Sequence, residues 1–559
     1  MRRQSFLVWV PATVALLLVL GALLPLEGKI GHDYYLAFTE YLIGMNHVQL
    51  NGISLPHFTA SLCGGLPFFA DPQSTFLSLP QLLIFFLPPH TAVFFTYLLF
   101  YAAAYIGTWF LCRRHYAYPA FSSHLAALFF VLSGFCFAHL FVGHVTHHVF
   151  LLTPWFILLA IDSSLFSSAR RAAVWSLLLA YAVYSGGMHV LVLWVLLAGL
   201  FLPVWLLRPD WRFLAYATAF SLLLLPAKLI AGYFFLKNAY PMPVHLSGEN
   251  PFWIFFRYFF FVPSETPLTV AFGQLAFGPW EYVGFVSKLA LPASLYYVYA
   301  RVQKRKHLLP FAVQFVLALL LVAVATGSLA PSFLASYHNP IKLLAVLILP
   351  LTLAFGSTAR ELEETLRRRF PPQTVFIAFA FLSVLLLWES TFSIGFFVTN
   401  KSGISFDPKL ANTVWSQLAN RAPLPPVRAV NAARGSDLAG LAQGQTSLHC
   451  AEPTYGYFQE GLHTKLQVGA TDQIQEGRFN LSHPGCLLYP DFYGCKAWDR
   501  IPVSEARSFT NFISARATAW KVPQWQTALL ALHACSALIL IGFSLAPVAL
   551  RIGRLRRNT

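Results

Sequence analysis

The chain has 559 residues, of which 57% are hydrophobic and only 11% are charged. This composition excludes an ordinary soluble enzyme and is typical of a polytopic membrane protein. A formal net charge of +16 would suit a nucleic-acid partner. The Lys and Arg residues, however, recur in alternate loops between apolar runs, so the charge reports membrane topology and we expect no nucleic-acid binding.

Short basic segments mark the cytoplasmic side of the predicted topology. The first contains Arg2 and the last contains Arg557, with others near residues 113, 170, 208, 301–306 and 360–369. Both termini are therefore predicted to be cytoplasmic. Tags at residues 3 and 557 should be found there, and a tag near residue 440 should be exterior.

Apolar runs long enough to cross a bilayer predict about twelve transmembrane helices. The first run has no convincing cleavage site after it, so we expect it to stay as a signal anchor. The fifth and sixth are separated by a Gly186–Gly187 pair, which predicts a turn. The runs lie at 7–26, 91–112, 122–142, 147–166, 171–186, 188–207, 212–234, 281–300, 308–327, 341–358, 373–399 and 525–549.

Polar sequence is concentrated in segments predicted to lie outside: loops 27–90 and 235–280, and the segment 400–524. Loop 27–90 is rich in aromatic and apolar residues, which argues against disorder and favours the mouth of an active site. We predict an all-α polytopic membrane fold over 1–399, then a small α/β or β-rich extracytoplasmic domain over 400–524. Residues 525–559 are predicted to form the last transmembrane helix and a basic cytoplasmic tail.

Asp33 lies just past the first apolar run, at the start of loop 27–90. A carboxylate there can act as the general base for an acceptor hydroxyl. Asp is also a favoured N-cap, and the stretch from Tyr34 to His47 reads as a helix, so a purely structural cap is the alternative and is favoured by pattern alone. Asp71 precedes a proline and has a similar structural alternative as a turn residue.

Histidines cluster on the predicted outer side. His144, His147 and His148 lie close together between the third and fourth runs, and His189 opens toward the same side after the glycine turn. Imidazoles in such a group can bind a metal or a phosphate, although buried or interfacial histidines without a ligand are more common.

Basic residues on the outer side are few, and Lys237, Arg257 and Lys342 are the candidates for holding a phosphate. Each has an alternative as a side chain that snorkels to lipid headgroups, which is the better interpretation for Arg257. Four of the seven cysteines fall outside, and Cys486 and Cys495 are the expected disulfide pair because the loop between them is short.

Several of these stretches resemble a known family. LPHFTASLCGGLPFFADPQS, at 55–74 before a helix that contains proline, resembles the first-loop signature of YfhO-like bacterial membrane proteins. The long first outer loop with an early Asp and the short outer turns look like the GT-C superfamily of membrane glycosyltransferases. Further short motifs resemble those of the YfhO-like proteins in kind and order. They are Ser133-Gly134-Phe135, Gly143-His144, Thr153-Pro154-Trp155, Gly186-Gly187-Met188-His189, Trp280-Glu281-Tyr282-Val283-Gly284 and Asn339-Pro340-Ile341-Lys342.

This resemblance implies a multi-pass protein of the bacterial inner (plasma) membrane, with a GT-C-like domain over 1–399 and an extracytoplasmic active site. It implies inverting transfer of a sugar from a polyprenyl-phosphate donor to a cell-surface glycan, lipid or protein. Asp33 matches the first-loop acidic residue of the superfamily and would be the base. The residues expected to bind substrate are His32, Asp71, His144, His148, His189, Lys237 and Lys342.

The main alternative is a transporter or flippase of a lipid-linked saccharide, a class that would use mid-span charges such as Lys228 and Lys288. A third interpretation is an assembly factor whose working part is the outer segment 400–524. A divalent metal stays open as a cofactor because no ligand motif is clear. Membrane lipids are expected partners in every case.

Overall fold

The computed structural model describes residues 10–17, 21, 24–239, 258–260, 283–304, 308–325, 340–400, 404–432, 437–448, 451–452, 457–458 and 465–557. Parts of the predicted first span 7–26 and of loop 235–280, together with Arg257 and Cys450, lie outside these residues. The described chain is mostly helical, with short strands near its outer segments.

Residues 10–17 are helical. Ten labelled helices follow in the outer loop and the first half of the helical domain. They are α1 (Tyr34–Asn51), α2 (Leu79–Leu83), α3 (Pro89–Phe110), α4 (Ala120–Val131), α5 (Gly134–Val142), α6 (Thr153–Ile161), α7 (Ser168–Tyr184), α8 (Met188–Trp205), α9 (Trp211–Leu224) and α10 (Pro226–Ala239). A π-helical turn (Leu111–His115) extends α3, and a 3₁₀ helix (Val145–Leu152) leads into α6.

The remaining helices are α11 (Ala290–Lys304), α12 (Leu308–Ala325), α13 (Ile348–Arg369), α14 (Pro372–Asn400), α15 (Lys409–Ala419), α16 (Asp437–Gln443), α17 (Pro484–Leu488), α18 (Pro490–Tyr493), α19 (Ala506–Ile513) and α20 (Gln524–Arg557). A 3₁₀ helix at Pro340–Leu347 precedes α13, and another at Val503–Glu505 precedes α19. The strands are β1 (Ile30–Gly31), β2 (Ile404–Phe406), β3 (Ala429–Asn431), β4 (Gln445–Ser447), β5 (Ala451–Glu452), β6 (Tyr457–Phe458), β7 (Gly469–Ala470), β8 (Arg478–Ser482) and β9 (Arg500–Pro502).

Six helical segments in the described chain are long and apolar enough to cross a membrane. A seventh crossing is counted if α9 and α10, which bend by 59° at their junction, form one span. The predicted runs 147–166 and 308–327 correspond to shorter apolar helices, so twelve spans are not found in the described chain. The six segments are Pro89–His115, Ala120–Val142, Met188–Trp205, Ile341–Arg369, Pro372–Phe392 and Gln524–Ala546.

The segment Ala120–Val142 is the centre of the helical domain, because it is buried along its whole length by its neighbours. It breaks near Ser133, where α4 ends and α5 begins. The segment Gln524–Ala546 is the opposite case: its side chains are almost entirely uncovered by protein, with Leu538 and Ile539 among the most exposed. An apolar helix of this kind is suited to a surface of lipid.

The outer segment after α14 shares its core with loop 27–90. β1 pairs with β2 in antiparallel register, Ile30 opposite Phe406, and β3 lies between β4 and β7 in a three-stranded sheet. Ala60 of the loop is buried in the same apolar cluster as Leu481 and Phe512. The mixture of helix and strand therefore belongs to one outer unit made from two distant parts of the sequence.

Candidate active site

The main-chain path around Asp33 places its carboxylate over the end of α5. The backbone N–H of Asp33 donates to the carbonyl oxygen of Val142 at 2.9 Å. Asp33 occupies the N-cap position of α1, but its side chain makes no capping hydrogen bond. The interpretation of Asp33 as a helix cap is therefore wrong, because its carboxylate is used elsewhere.

That carboxylate contacts two histidines. Its Oδ2 lies 2.7 Å from Nε2 of His144, and its Oδ1 lies 3.4 Å from Nε2 of His32. Burial alone would raise the pKa of Asp33, but the hydrogen bond and charge of His144, with the charges of His32 and Lys342, hold the pKa below its usual value. Asp33 is thus an ionised carboxylate whose side chain keeps 21% of its surface exposed.

Gly143 permits the close approach of the turn after α5 to the start of α1. It has φ of 106°, in the left-handed region that favours glycine, and it ends α5. A Cβ at this position would overlap the backbone nitrogen of Tyr34 and the carbonyl carbon of Asp33. The Gly143-His144 pair noted in the sequence therefore brings the turn after α5 against the start of α1.

Four histidine rings lie next to one another behind Asp33. Nδ1 of His139 lies 2.8 Å from Nδ1 of His144, and the rings of His139 and His147 are stacked with centroids 3.9 Å apart. The ring of His189 lies 4.2 Å from that of His147. The group joins α5, the following turn, the 3₁₀ helix and the first turn of α8.

The ring nitrogens of three of these histidines can converge on one ligand. The potential ligand atoms of His139, His144 and His147 all lie within 4.8 Å of one another. Among the residues that the structure describes, His139 Nε2 and both ring nitrogens of His147 and of His189 are buried without a hydrogen-bond partner. A buried polar atom of this kind usually has a ligand or a water beside it.

Lys342 brings a positive charge to the same place. It is buried in the 3₁₀ helix Pro340–Leu347, and its charge acts on Asp33. Lys342 therefore acts electrostatically on the carboxylate that His32 and His144 contact. All four residues were named as site residues by the sequence analysis. His189 joins them through its contact with His147.

Two other predicted residues lie apart from this group. Nε2 of His148 is 2.7 Å from the hydroxyl of Tyr181, and its Nδ1 is 2.6 Å from the carbonyl oxygen of Val145, so both nitrogens are occupied. Lys237 is exposed on α10, and the adjacent Asn238 donates to the carbonyl of Leu488 in the outer unit. Neither position supports the expected contact with substrate.

Asp71 belongs to a second polar cluster. Its Oδ1 accepts from the backbone N–H of Gln73 at 2.8 Å, which is the turn interaction considered as an alternative. Its carbonyl oxygen accepts from the ammonium group of Lys228 at 2.6 Å, and the carbonyl of Phe69 accepts from the same group. Lys228 therefore holds the outer loop in place, a structural role that removes one argument for a transporter.

Glu40 completes this second cluster and was missed by the sequence analysis. Its Oε2 accepts from the backbone N–H of Thr75 at 3.1 Å and from the hydroxyl of Thr75 at 2.8 Å. Burial and the charge of Asp71 raise the pKa of Glu40 to about 8. The sequence did place Glu40 on the same helix as Asp33, seven residues later, and this could have marked it as a candidate residue.

Cysteines stabilise the outer unit. Cys486 of α17 and Cys495, which follows α18, form a disulfide across nine positions of the sequence, as expected. Cys63 of loop 27–90 is also disulfide-bonded. Cys112 and Cys136 are free and buried in the helical domain, where they act as packing residues.

No sequence family and no curated relative matches the chain. Among solved structures, two of the arabinofuranosyltransferase AftD from Mycobacteria are similar, one of them a mutant form. Each is 19% identical and covers 72% of this chain, with TM-scores of 0.44 and 0.42. This chain spans only 27% and 28% of those chains. A likeness of this size carries no argument about activity, so the chemistry is argued from the residues of the site.

Proposed function

We propose that this protein is a GT-C-type membrane glycosyltransferase, related to the YfhO-like proteins, that takes its sugar from a polyprenyl-phosphate donor. Asp33 is the general base for the acceptor hydroxyl. The observation that carries the proposal is an ionised, partly exposed carboxylate that contacts His144 and His32 and feels the charge of the buried Lys342. The site lies where loop 27–90 meets the ends of apolar helices.

The chemistry that this arrangement supports is a displacement at the sugar carbon. The oxygen of the acceptor hydroxyl attacks that carbon, and the bond from carbon to the donor phosphate oxygen breaks. The proton of the hydroxyl passes to Asp33, and the phosphate leaves with the bonding electrons. Attack opposite the leaving group inverts the configuration of the sugar carbon.

Lys342 and His32 are the groups proposed to hold the donor phosphate. Lys342 acts as a point charge, because a lysine ammonium group cannot form the bidentate contact that an arginine makes with phosphate. Both charges also keep Asp33 ionised, which a base requires before it accepts a proton. The donor tail would lie along the apolar helices. The acceptor, a glycan, lipid or protein, would approach from the extracytoplasmic side, with both termini of the chain in the cytoplasm of a bacterial inner membrane.

The test is sugar transfer by purified full-length protein in lipid nanodiscs. A panel of radiolabelled polyprenyl-phosphate sugars is incubated with wild type and with Asp33→Asn. We expect transfer or slow hydrolysis of one donor by wild type, and a loss of about 10²–10⁴-fold in Asp33→Asn. Transfer by Asp33→Asn at the wild-type rate would contradict the role of Asp33, and a protein that only moves intact donor across vesicles would favour the flippase.

A further inference from the structure

The histidine group behind Asp33 has the composition of a transition-metal site. We propose that His139, His144 and His147 bind one divalent ion of the zinc type, with Asp33 orienting His144 from outside the ligand set. Three imidazoles are a recurrent ligand set for zinc, and they leave a coordination position open. Imidazole nitrogen disfavours magnesium and calcium, which select oxygen ligands.

The first support is the contact between Asp33 and His144. When Nε2–H of His144 donates to the carboxylate, the ring presents the lone pair of Nδ1 toward His139. A carboxylate that fixes the tautomer of a histidine in this way is the usual outer partner of a metal-bound imidazole. Two Nδ1 atoms 2.8 Å apart need either a proton or a cation between them.

The second support is the unpaired state of the other nitrogens. Within the described residues, Nε2 of His139 and both nitrogens of His147 are buried without a hydrogen-bond partner. A buried polar atom that stays unsatisfied destabilises the folded protein. Each histidine offers the ion one nitrogen. With Nδ1 of His139 and Nδ1 of His144 as two ligands, one ring nitrogen of His147 is the third and is satisfied by the ion. Nε2 of His139 and the other nitrogen of His147 would then carry protons and are not ligands.

Ring orientation sets a condition on binding. The rings of His139 and His147 are nearly parallel, with an interplanar angle of 12°. An ion must lie close to the plane of each ring that binds it, so one ring has to turn about its Cβ–Cγ bond when the ion enters. This torsion is broad in histidine, so the rearrangement is local.

Lys342 and the ion would both be positive, and Asp33 provides a negative charge beside them. The open coordination position is therefore suited to an anionic oxygen, such as that of the donor phosphate. This last step rests on the proposed function, whereas the metal site itself does not. A site that binds zinc in a protein without transferase activity would leave the metal proposal intact and remove only this step.

The experiment uses full-length protein purified without a histidine tag, stripped with a chelator, incubated with zinc chloride and desalted. We expect stoichiometric zinc by mass spectrometry of the metal. Cobalt in place of zinc should give the visible absorption of a site with nitrogen ligands. His139→Gln and His147→Gln should reduce the bound zinc to background, whereas His148→Gln should retain it, because His148 is occupied by Tyr181 and Val145.

Zinc-free wild-type protein after this treatment would overturn the proposal and would assign a shared proton to the contact of His139 with His144. Equal zinc content in wild type and in both ligand variants would also overturn the proposal, because it would show that zinc binds elsewhere in the protein. The zinc content of the wild-type protein tests the proposal without any variant. The proposal can therefore be refuted even if a variant fails to fold. A folded His147→Gln, judged by size-exclusion chromatography, that loses zinc supports it.

Discussion

The carboxylate of Asp33 and Nε2 of His144 lie 2.7 Å apart, although the two residues are separated by 111 positions in the sequence. Two consequences follow from this contact. It keeps Asp33 ionised, as a general base requires, and it fixes the ring of His144, as a metal ligand requires. In the first role Asp33 accepts a proton during sugar transfer, and in the second it orients His144 for metal binding. An experiment can separate these two roles.

Asp33→Asn is the variant that separates them. As the base, Asp33 is needed in every turnover, so activity should fall about 10²–10⁴-fold and added zinc should not restore it. As the partner of His144 alone, its loss should weaken zinc binding about 10–100-fold, and excess zinc should restore activity. Transfer assays across a zinc titration measure the difference.

Asp472→Asn is the control for this variant, because Asp472 is an exposed carboxylate in the outer unit. It should retain wild-type activity and zinc content. Equal losses in Asp33→Asn and Asp472→Asn would show that general charge, rather than the geometry at Asp33, determines the rate.

Gly143→Ala should abolish activity with little change in the apolar core. The added Cβ would overlap the backbone of Tyr34 and Asp33, and an alanine with φ near 106° is strained. Relief of this overlap moves the turn away from α1 and breaks the contact of Asp33 with His144. We expect at least about a 100-fold loss of transfer, since misplacement by about 1 Å has this effect.

Gly199→Ala is the matched control, because Gly199 lies within α8 and a Cβ there meets nothing within 4 Å. This change should leave activity near wild type and stabilise the helix slightly. Activity of Gly143→Ala equal to that of Gly199→Ala would contradict the assignment of the turn as the element that positions the site.

Lys228→Met should loosen the outer loop. The ammonium group donates to the carbonyl oxygens of Phe69 and Asp71. Its loss removes the ammonium donor from the Phe69 carbonyl and leaves the Asp71 carbonyl with the backbone N–H of Ser74 as a donor. The expected cost is about 1–3 kcal/mol, mostly from the buried Phe69 carbonyl. Limited proteolysis should show faster cleavage of the outer loop near residue 70, and the melting temperature should fall.

Lys288 was the other mid-span charge expected of a transporter, and it is exposed. Lys237→Met is the control for Lys228→Met, because Lys237 is exposed on the same helix, and it should change neither proteolysis nor the melting temperature. If Lys228→Met keeps a wild-type melting temperature and proteolytic pattern, then Lys228 does not anchor the loop.

The sequence named those residues of the candidate site that a local pattern can indicate. Asp33 and Lys342 were found from their places at the ends of apolar runs, and the Gly186–Gly187 turn separates α7 from α8 as expected. His139 was missed because it lies within an apolar span, where a single histidine has no periodic signal. Its neighbours in space depend on the left-handed turn at Gly143, which the sequence does not specify by itself.

Contacts between residues that are distant in the sequence also could not be predicted from it. Segment 400–524 was predicted to be a separate domain because its composition changes, yet its apolar cluster includes Ala60 of loop 27–90. Composition reports a change of environment, whereas a shared core depends on which distant surfaces meet. For the same reason Glu40 was overlooked, since its partner Thr75 is 35 positions away.

Glu40→Gln should stabilise the protein at alkaline pH. Burial and the charge of Asp71 raise the pKa of Glu40 from 4.5 to about 8 in the folded protein. The folded state therefore holds a proton between these two values that the unfolded state releases, and the free energy of unfolding falls as pH rises from about 4.5 to about 8. Glutamine cannot ionise, so this loss should disappear.

We expect the melting temperature of Glu40→Gln to exceed that of wild type by at least about 2 °C at pH 8, with a smaller difference at pH 5. Thermal unfolding in nanodiscs at both pH values measures the effect. Glu476→Gln is the control: its side chain is 90% exposed, so it should leave the pH dependence unchanged. Because the amide oxygen of glutamine can still accept from Thr75, a lost hydrogen bond does not account for the difference. Parallel curves for wild type and Glu40→Gln between pH 5 and pH 8 would show that Glu40 ionises normally in the folded protein.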